Sequence, residues 1–244
     1  MNRRNMLCGD KETFSEKVLK FNEKLAHKEV KLPEGFRVVN PYSGNQKELV
    51  REVATAFYQK YYNDLRSRRL ILGSSPARRG SAITGIPFAD AQHLQRETGI
   101  LMDKFCINRP AGDFLYDVIS KYGGCERFYA DFFMSFVCPL GIAKANAKGK
   151  EVNCNYYENK NLQEALYSFM VSSMRSQIDL GVDRSVCYCI GSGENYKFLS
   201  EVNERYQFFN TIVPLEHPRF IMQYNSKNKE FFITKYINAL SSNL

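Results

Sequence analysis

Four short apolar runs in this chain each stop at a polar turn, and helical patterns lie between them. The runs are LILG at 70–73, FFMSFVC at 132–138, SVCYCI at 185–190 and TIVPL at 211–215. Apolar runs this short, bounded by Gly, Ser and Pro, read as buried strands. Strands that alternate with helices pair in parallel, because a crossover helix returns the chain to the same edge of the sheet. The expected fold is therefore α/β, a three-layer sandwich with a short, mainly parallel central sheet flanked by helices. The turns at Gly73, Pro139, Gly191 and His217 would then all lie beyond the carboxyl ends of strands. Open α/β sheets bind ligands at that edge.

The helices announce themselves by spacing. Thr13 and Glu16 have the spacing of a capping box. Phe14, Val18, Phe21 and Leu25 then recur at helical intervals, and KLPEGF at 31–36 ends that helix. Leu49, Val53, Phe57 and Tyr61 mark a second helix that stops near Asn63 and Asp64. The stretches 90–100, 111–123, 162–178 and 230–240 also read as helical. The segment from Lys144 to Asn161, rich in Lys and Asn, reads as a solvent-exposed loop. No repeat or low-complexity linker divides the chain. The expectation is a single domain over 1–244 with an N-terminal helical extension over about 1–66.

The chain carries 34 basic and 26 acidic residues, a formal net charge of +8, which favours a polyanionic partner. Its cysteines are Cys8, Cys106, Cys125, Cys138, Cys154, Cys187 and Cys189, an odd number with no CxxC pair. His27, His93 and His217 lie far apart in the sequence. Neither a disulfide framework nor a zinc or iron–sulfur site is expected, so the metal and cofactor expectation is none. Reduced thiols, the lack of a signal peptide and the lack of a membrane-length apolar run point to a cytoplasmic protein.

The turn that follows the first strand, GSSPARRG at 73–80, admits three chemistries. A phosphate-binding P-loop needs a different glycine spacing and a lysine, and fails on both. A serine hydrolase would use Ser75 as nucleophile with His217 as its base, since GSSPA resembles a nucleophile elbow. The residue after such a serine donates its N–H to the oxyanion, and Pro76 has none. The third chemistry is excision of a nucleic-acid base.

Here the chain resembles the uracil-DNA glycosylase superfamily. Gly73-Ser74-Ser75-Pro76-Ala77 is similar to its first motif. Gly80 and Thr84-Gly85-Ile86-Pro87-Phe88 resemble the single-strand-selective monofunctional branch. Ile212 to Pro218, a strand followed by His-Pro, resembles the second motif. VCPLG at 137–141 and the Gly191-Ser192-Gly193 turn resemble the segments between them, so the likeness runs from about 68 to 240. It implies a DNA partner, no membrane, and a nucleotide flipped out of the stack into a pocket. Phe88 would stack on the base, beside Gly73 and Ser74. His217 would stabilise the departing base. Ser192, Arg78 and Arg79 would hold phosphates. Arg219 and Phe220 would fill the gap that the flipped base leaves.

Two positions depart from the pattern. The water-placing carboxamide or carboxylate of many relatives is replaced by Ser75. The uracil-reading Asn falls at Phe136, with Ser135 beside it, and a ring cannot form paired amide hydrogen bonds. Asp90 is the nearest substitute for water placement; it also stands where a helix N-cap would. The expected activity is hydrolysis of the N-glycosidic bond of a deaminated or damaged base, with uracil, hypoxanthine and xanthine unranked. The alternatives are a non-catalytic nucleic-acid-binding module of the same fold and the serine hydrolase.

Overall fold

The computed structural model describes residues 11–103 and 109–242. Cys8 and Cys106 lie outside them. Helix α1 (Phe14–Ala26) starts at the expected capping box: Glu16 N–H donates to Thr13 Oγ1, and Thr13 N–H donates to the Glu16 carboxylate. Phe14, Val18, Phe21 and Leu25 form its buried face. A short strand β1 (Phe36–Val39) follows, then α2 (Lys47–Tyr62), which buries Val53, Phe57 and Tyr61. Next come β2 (Arg69–Gly73), α3 (Ser81–Thr84), α4 (Ala91–Thr98), α5 (Arg109–Tyr122), α6 (Cys125–Asp131) and β3 (Phe132–Phe136). The second half holds β4 (Gly141–Ala145), β5 (Glu151–Cys154), α7 (Lys160–Ile178), β6 (Asp183–Ile190), α8 (Glu194–Tyr206), β7 (Thr211–Leu215), α9 (Pro218–Tyr224) and α10 (Lys229–Ser241).

Strands β3, β2, β6 and β7 pair in that order, all in parallel, as the central sheet. Every residue of β2 and β3 is buried, which is what a sheet covered on both faces requires. Alternation along β3 shows the two layers. Phe133 packs on the rings of Phe14, Tyr58 and Tyr62, at centroid distances of 5.2, 6.5 and 5.9 Å. Its neighbour Phe132 points the other way, onto Tyr122, Phe128 and Tyr188, at 5.3, 5.1 and 5.7 Å. Each such ring stabilises the fold by roughly 1.5–3 kcal/mol through burial alone.

Hydrogen bonding continues past the strand ends and fixes the first turns of the loops. Val137 N–H donates to Gly73 O at 2.8 Å, Cys138 N–H to Ser74 O at 2.9 Å, and Gly191 N–H to Leu215 O at 2.8 Å.

The segment 144–161 is not an exposed loop. Strands β4 and β5 form a hairpin whose other side pairs with β1, giving an antiparallel sheet in the order β1-β4-β5. A single 3₁₀ turn, Tyr156–Glu158, follows with Tyr156 buried. Exposure gathers toward the hairpin tip: Ile142, Ala143 and Cys154 are buried, while residues 145–151 are exposed. The N-terminal region is likewise more than helical. Its strand β1 completes this small sheet, and its Tyr42 hydroxyl donates to Gly85 O at 2.6 Å. Among the described residues, no helix is long and apolar enough to cross a membrane.

Candidate active site

The turn after β2 is held from behind by the hairpin. The Ser74 and Ser75 hydroxyls both donate to Asn155 Oδ1, at 3.0 and 3.3 Å. The Asn155 carboxamide can point only one way. Its Nδ2 and its backbone N–H both donate to Glu158 Oε1, at 3.2 and 2.8 Å, and an ionised carboxylate only accepts. Burial works to raise the Glu158 carboxyl, but the Lys144 ammonium at 2.8 Å and the Asn155 N–H outweigh it and hold the group below its ordinary value. Arg78 donates its N–H to Asn153 Oδ1 at 2.8 Å, and its guanidinium lies 3.8 Å from Glu151. Arg79 is exposed.

The second turn is pinned more tightly. Thr84 Oγ1 lies 3.4 Å from Ile86 O and 3.3 Å from Ala89 O. Phe88 has φ of 60°, a left-handed conformation that strains a bulky residue. Its N–H donates to Ser81 Oγ at 2.8 Å, which holds it there. The ring then lies 5.0 Å from the Phe136 ring at 30°. Its tip rests over Gly73, where a Cβ would stand 2.5 Å from Phe88 Cζ. Glycine at 73 is therefore a packing requirement of the aromatic pair.

Asp90 caps α4: His93 N–H donates to its Oδ1 at 2.9 Å. Its other oxygen, Oδ2, is buried and has no hydrogen-bond partner among the described residues. Gly112 of α5 stands opposite, and a Cβ there would come within 3.0 Å of Oδ2. The space beside a buried carboxylate oxygen is thus left open by a missing side chain.

His217 caps α9 just before Pro218, and its Nδ1 accepts the Arg219 N–H at 3.1 Å. In the neutral ring that bond leaves the proton on Nε2, as a donor. Burial, with the Arg219 charge adding to it, pushes the imidazole down from 6.5 to about 4.

These groups meet in one cleft of about 560 Å³ at the carboxyl edge of the sheet. Ser74, Ser75, Phe88, Asp90, Phe136 and His217 all line it, with Ser81 and Gly112. The sequence model of the uracil DNA glycosylase superfamily matches residues 59–241. The chain belongs to that superfamily. This glycosylase is also similar to a solved structure, described as the crystal structure of wild-type Pedobacter heparinus SMUG2. The two share 46% identity with a TM-score of 0.89, over 94% of this chain and 97% of that one. A search of curated proteins finds no match. Membership makes the protein a DNA glycosylase of damaged bases, and the four-stranded parallel sheet is the fold it shares with the Pedobacter protein.

The glycosylase does not gather every residue singled out from its sequence. Ser135 is buried but faces away from the cleft. It lines a separate cavity of about 350 Å³ with Phe21, Tyr58 and Phe133. Ser192 is exposed just before α8. Arg219 and Phe220 are exposed on α9, beside His217. Gly112 and Asn155 were missed. The Asn155-x-x-Glu158 spacing, that of a capping box, was the available signal for Asn155; nothing local marks Gly112. Ser75 shares the cleft with His217, but its hydroxyl is committed to Asn155 and Pro76 offers no donor, so glycosylase membership displaces the hydrolase alternative. Asp90, His93 and Asp113 bring donor atoms within 4.8 Å of one another. Asp113 is exposed, and Asp90 Oδ1 is already committed to the cap.

Proposed function

We propose that the protein is a monofunctional hydrolytic glycosylase that releases a deaminated base from DNA, with Asp90 placing the attacking water. The observation that carries this is the divided Asp90 carboxylate: Oδ1 caps α4, while Oδ2 is buried and unpartnered on the cleft wall. A buried carboxylate oxygen without a partner is costly unless a ligand or water completes it.

The steps follow from the groups present. A flipped nucleotide places its base against the strained Phe88 ring. The C1′–N bond lengthens toward an oxocarbenium-like sugar and an anionic base. Nε2–H of neutral His217 donates to the base as negative charge develops there, the kind of preorganised donor worth on the order of 10²–10³ in rate. Asp90 Oδ2 accepts a proton from a water, whose oxygen bonds to C1′ as the C1′–N pair leaves with the base. The carboxylate also offsets the positive charge on the sugar. The products are the free base and an abasic site. A lyase step would need an amine, and the described residues that line the cleft offer none.

Recognition of the base edge falls to hydroxyls rather than to an amide. Phe136 holds the position where uracil-selective relatives are expected to carry Asn. The Ser74 and Ser75 hydroxyls donate to Asn155 and so present lone pairs, while Ser81, which accepts from Phe88 N–H, keeps its own proton to donate. This favours tolerance among uracil, hypoxanthine and xanthine.

Single-turnover release from oligonucleotides carrying each of those bases tests the proposal. Asp90→Asn keeps the cap, since Asn caps as well as Asp, but loses the carboxylate. Its rate should fall on the order of 10²-fold or more on the preferred base, with melting temperature nearly unchanged. Ser75→Ala should cost much less. An Asp90→Asn enzyme at full speed would reduce Asp90 to a helix cap. Wild-type protein that releases none of the three bases would leave a binding module.

A further inference from the structure

We infer that His93 is a positioning residue that sets the Asp90 carboxylate in its working orientation, an inference that rests on Asp90 placing the water. His93 occupies the third position of α4, where a capping box would carry Glu or Gln. Capping uses only its backbone N–H, so the cap gives no reason for a buried imidazole there. The side chain nevertheless lies against the cap. Its Nδ1 is 2.9 Å from Asp90 Oδ1, the same oxygen that accepts the His93 N–H at 2.9 Å. Nδ1 sits off the line of a directed hydrogen bond and has no other partner among the described residues. The contact is therefore electrostatic, and it attracts when Nδ1 carries a proton.

The ring is fixed from its far side. It stacks on Tyr116 of α5, with centroids 3.5 Å apart and planes at 18°. Helix α5 also supplies Gly112, beside Oδ2, and the exposed Asp113, whose carboxylate lies within 4.8 Å of the pair. One residue thus grips Oδ1 twice, through backbone and ring, while α5 locks the ring. With Oδ1 held inward, Oδ2 is left beside Gly112, which lines the cleft with Asp90. Without the ring nitrogen, the carboxylate keeps a single tether and can turn about its Cβ–Cγ bond. Misplacing a reacting group by about 1 Å costs up to 10²-fold in rate.

Two substitutions separate positioning from packing. His93→Phe keeps a ring for Tyr116 and removes the nitrogen. His93→Asn puts an amide nitrogen near the place of Nδ1 and removes the ring. Single-turnover excision by His93→Phe should fall about tenfold, with unchanged affinity for a duplex carrying an abasic analogue. His93→Asn should recover most of that rate while melting at a lower temperature. In an Asp90→Asn background, His93→Phe should cost nothing further, because both act through one group. A His93→Phe enzyme at wild-type rate, or one whose loss adds fully to that of Asp90→Asn, would overturn the inference and leave Asp90 in place. Full activity of Asp90→Asn alone would instead remove the water-placing role, and this inference with it.

Discussion

At His217 a single backbone hydrogen bond decides which ring nitrogen is free to donate into the cleft in the proposed reaction. Because Nδ1 accepts from Arg219 N–H, the neutral ring presents Nε2–H, and the imidazole is pushed down to about 4 by burial and then by the Arg219 charge. A neutral donor is the useful form, since it gains strength as the base becomes anionic. The sign of the pH effect follows. The unfolded chain takes up a proton at His217 near 6.5 and the folded chain near 4. Stability from this group is therefore complete above about 6.5, falls as pH drops through that window and levels below about 4. An NMR titration of the His217 ring, with denaturation of wild type and His217→Gln between those limits, checks this. Ordinary titration near 6.5 would end the account of the donor. Asp90 and His217 were both singled out in the sequence because each stands in or beside a segment that resembles a superfamily motif, and both line the cleft. The left-handed φ of Phe88 and the space at Gly112 were not, because both arise from contacts between distant segments.

The β4–β5 hairpin is the element that sequence patterning concealed. The central strands were legible because burial on both faces makes them continuously apolar. The hairpin strands are four or five residues long and exposed toward their shared tip, so Lys and Asn dominate what is read along the chain. Its antiparallel partner β1 is far away in sequence, and register between them cannot be seen locally. Yet this hairpin leads into Asn155, the acceptor for both first-turn hydroxyls. Asn155→Ala should destabilise the fold by about 1–2 kcal/mol, the usual cost of stranding buried donors. Asn155→Asp keeps an acceptor for the serines but sets a second carboxylate against Glu158. It should lose at least as much stability at neutral pH, and regain part of it as acid neutralises one of the two groups. Urea denaturation of both variants at pH 7 and pH 5 makes the comparison. Two variants as stable as wild type would show that the hairpin does not brace the turn.

Across the whole molecule, charge and shape bear on how DNA is held. The net charge of +8 implies binding that releases counterions, with log affinity falling linearly in log salt. The cleft opens beside α9, where Arg219, Phe220 and Tyr224 are exposed and the two rings lie 5.9 Å apart with their planes tilted by 47°. Among the described residues none covers these rings enough to bury them: Phe220 is 48% exposed and Tyr224 69%. Their place next to His217 suits a side chain that fills the gap left by a flipped nucleotide. The N-terminal region supports the opposite wall, since Tyr42 holds Gly85 and so the turn that carries Phe88. Phosphate contacts and gap filling differ in their salt dependence. Each phosphate neutralised adds about 0.9 to the slope, whereas an inserted ring adds none. Phe220→Ala should therefore weaken binding to a duplex with an abasic analogue at every salt concentration and leave the slope unchanged. Arg219→Ala should weaken the same complex and lower the slope by about one. Fluorescence anisotropy over a salt series reads both quantities. Unchanged affinity in both variants would move the DNA-filling role away from α9, while a slope change in Phe220→Ala would mean that the ring acts by ordering a charged neighbour rather than by entering the stack.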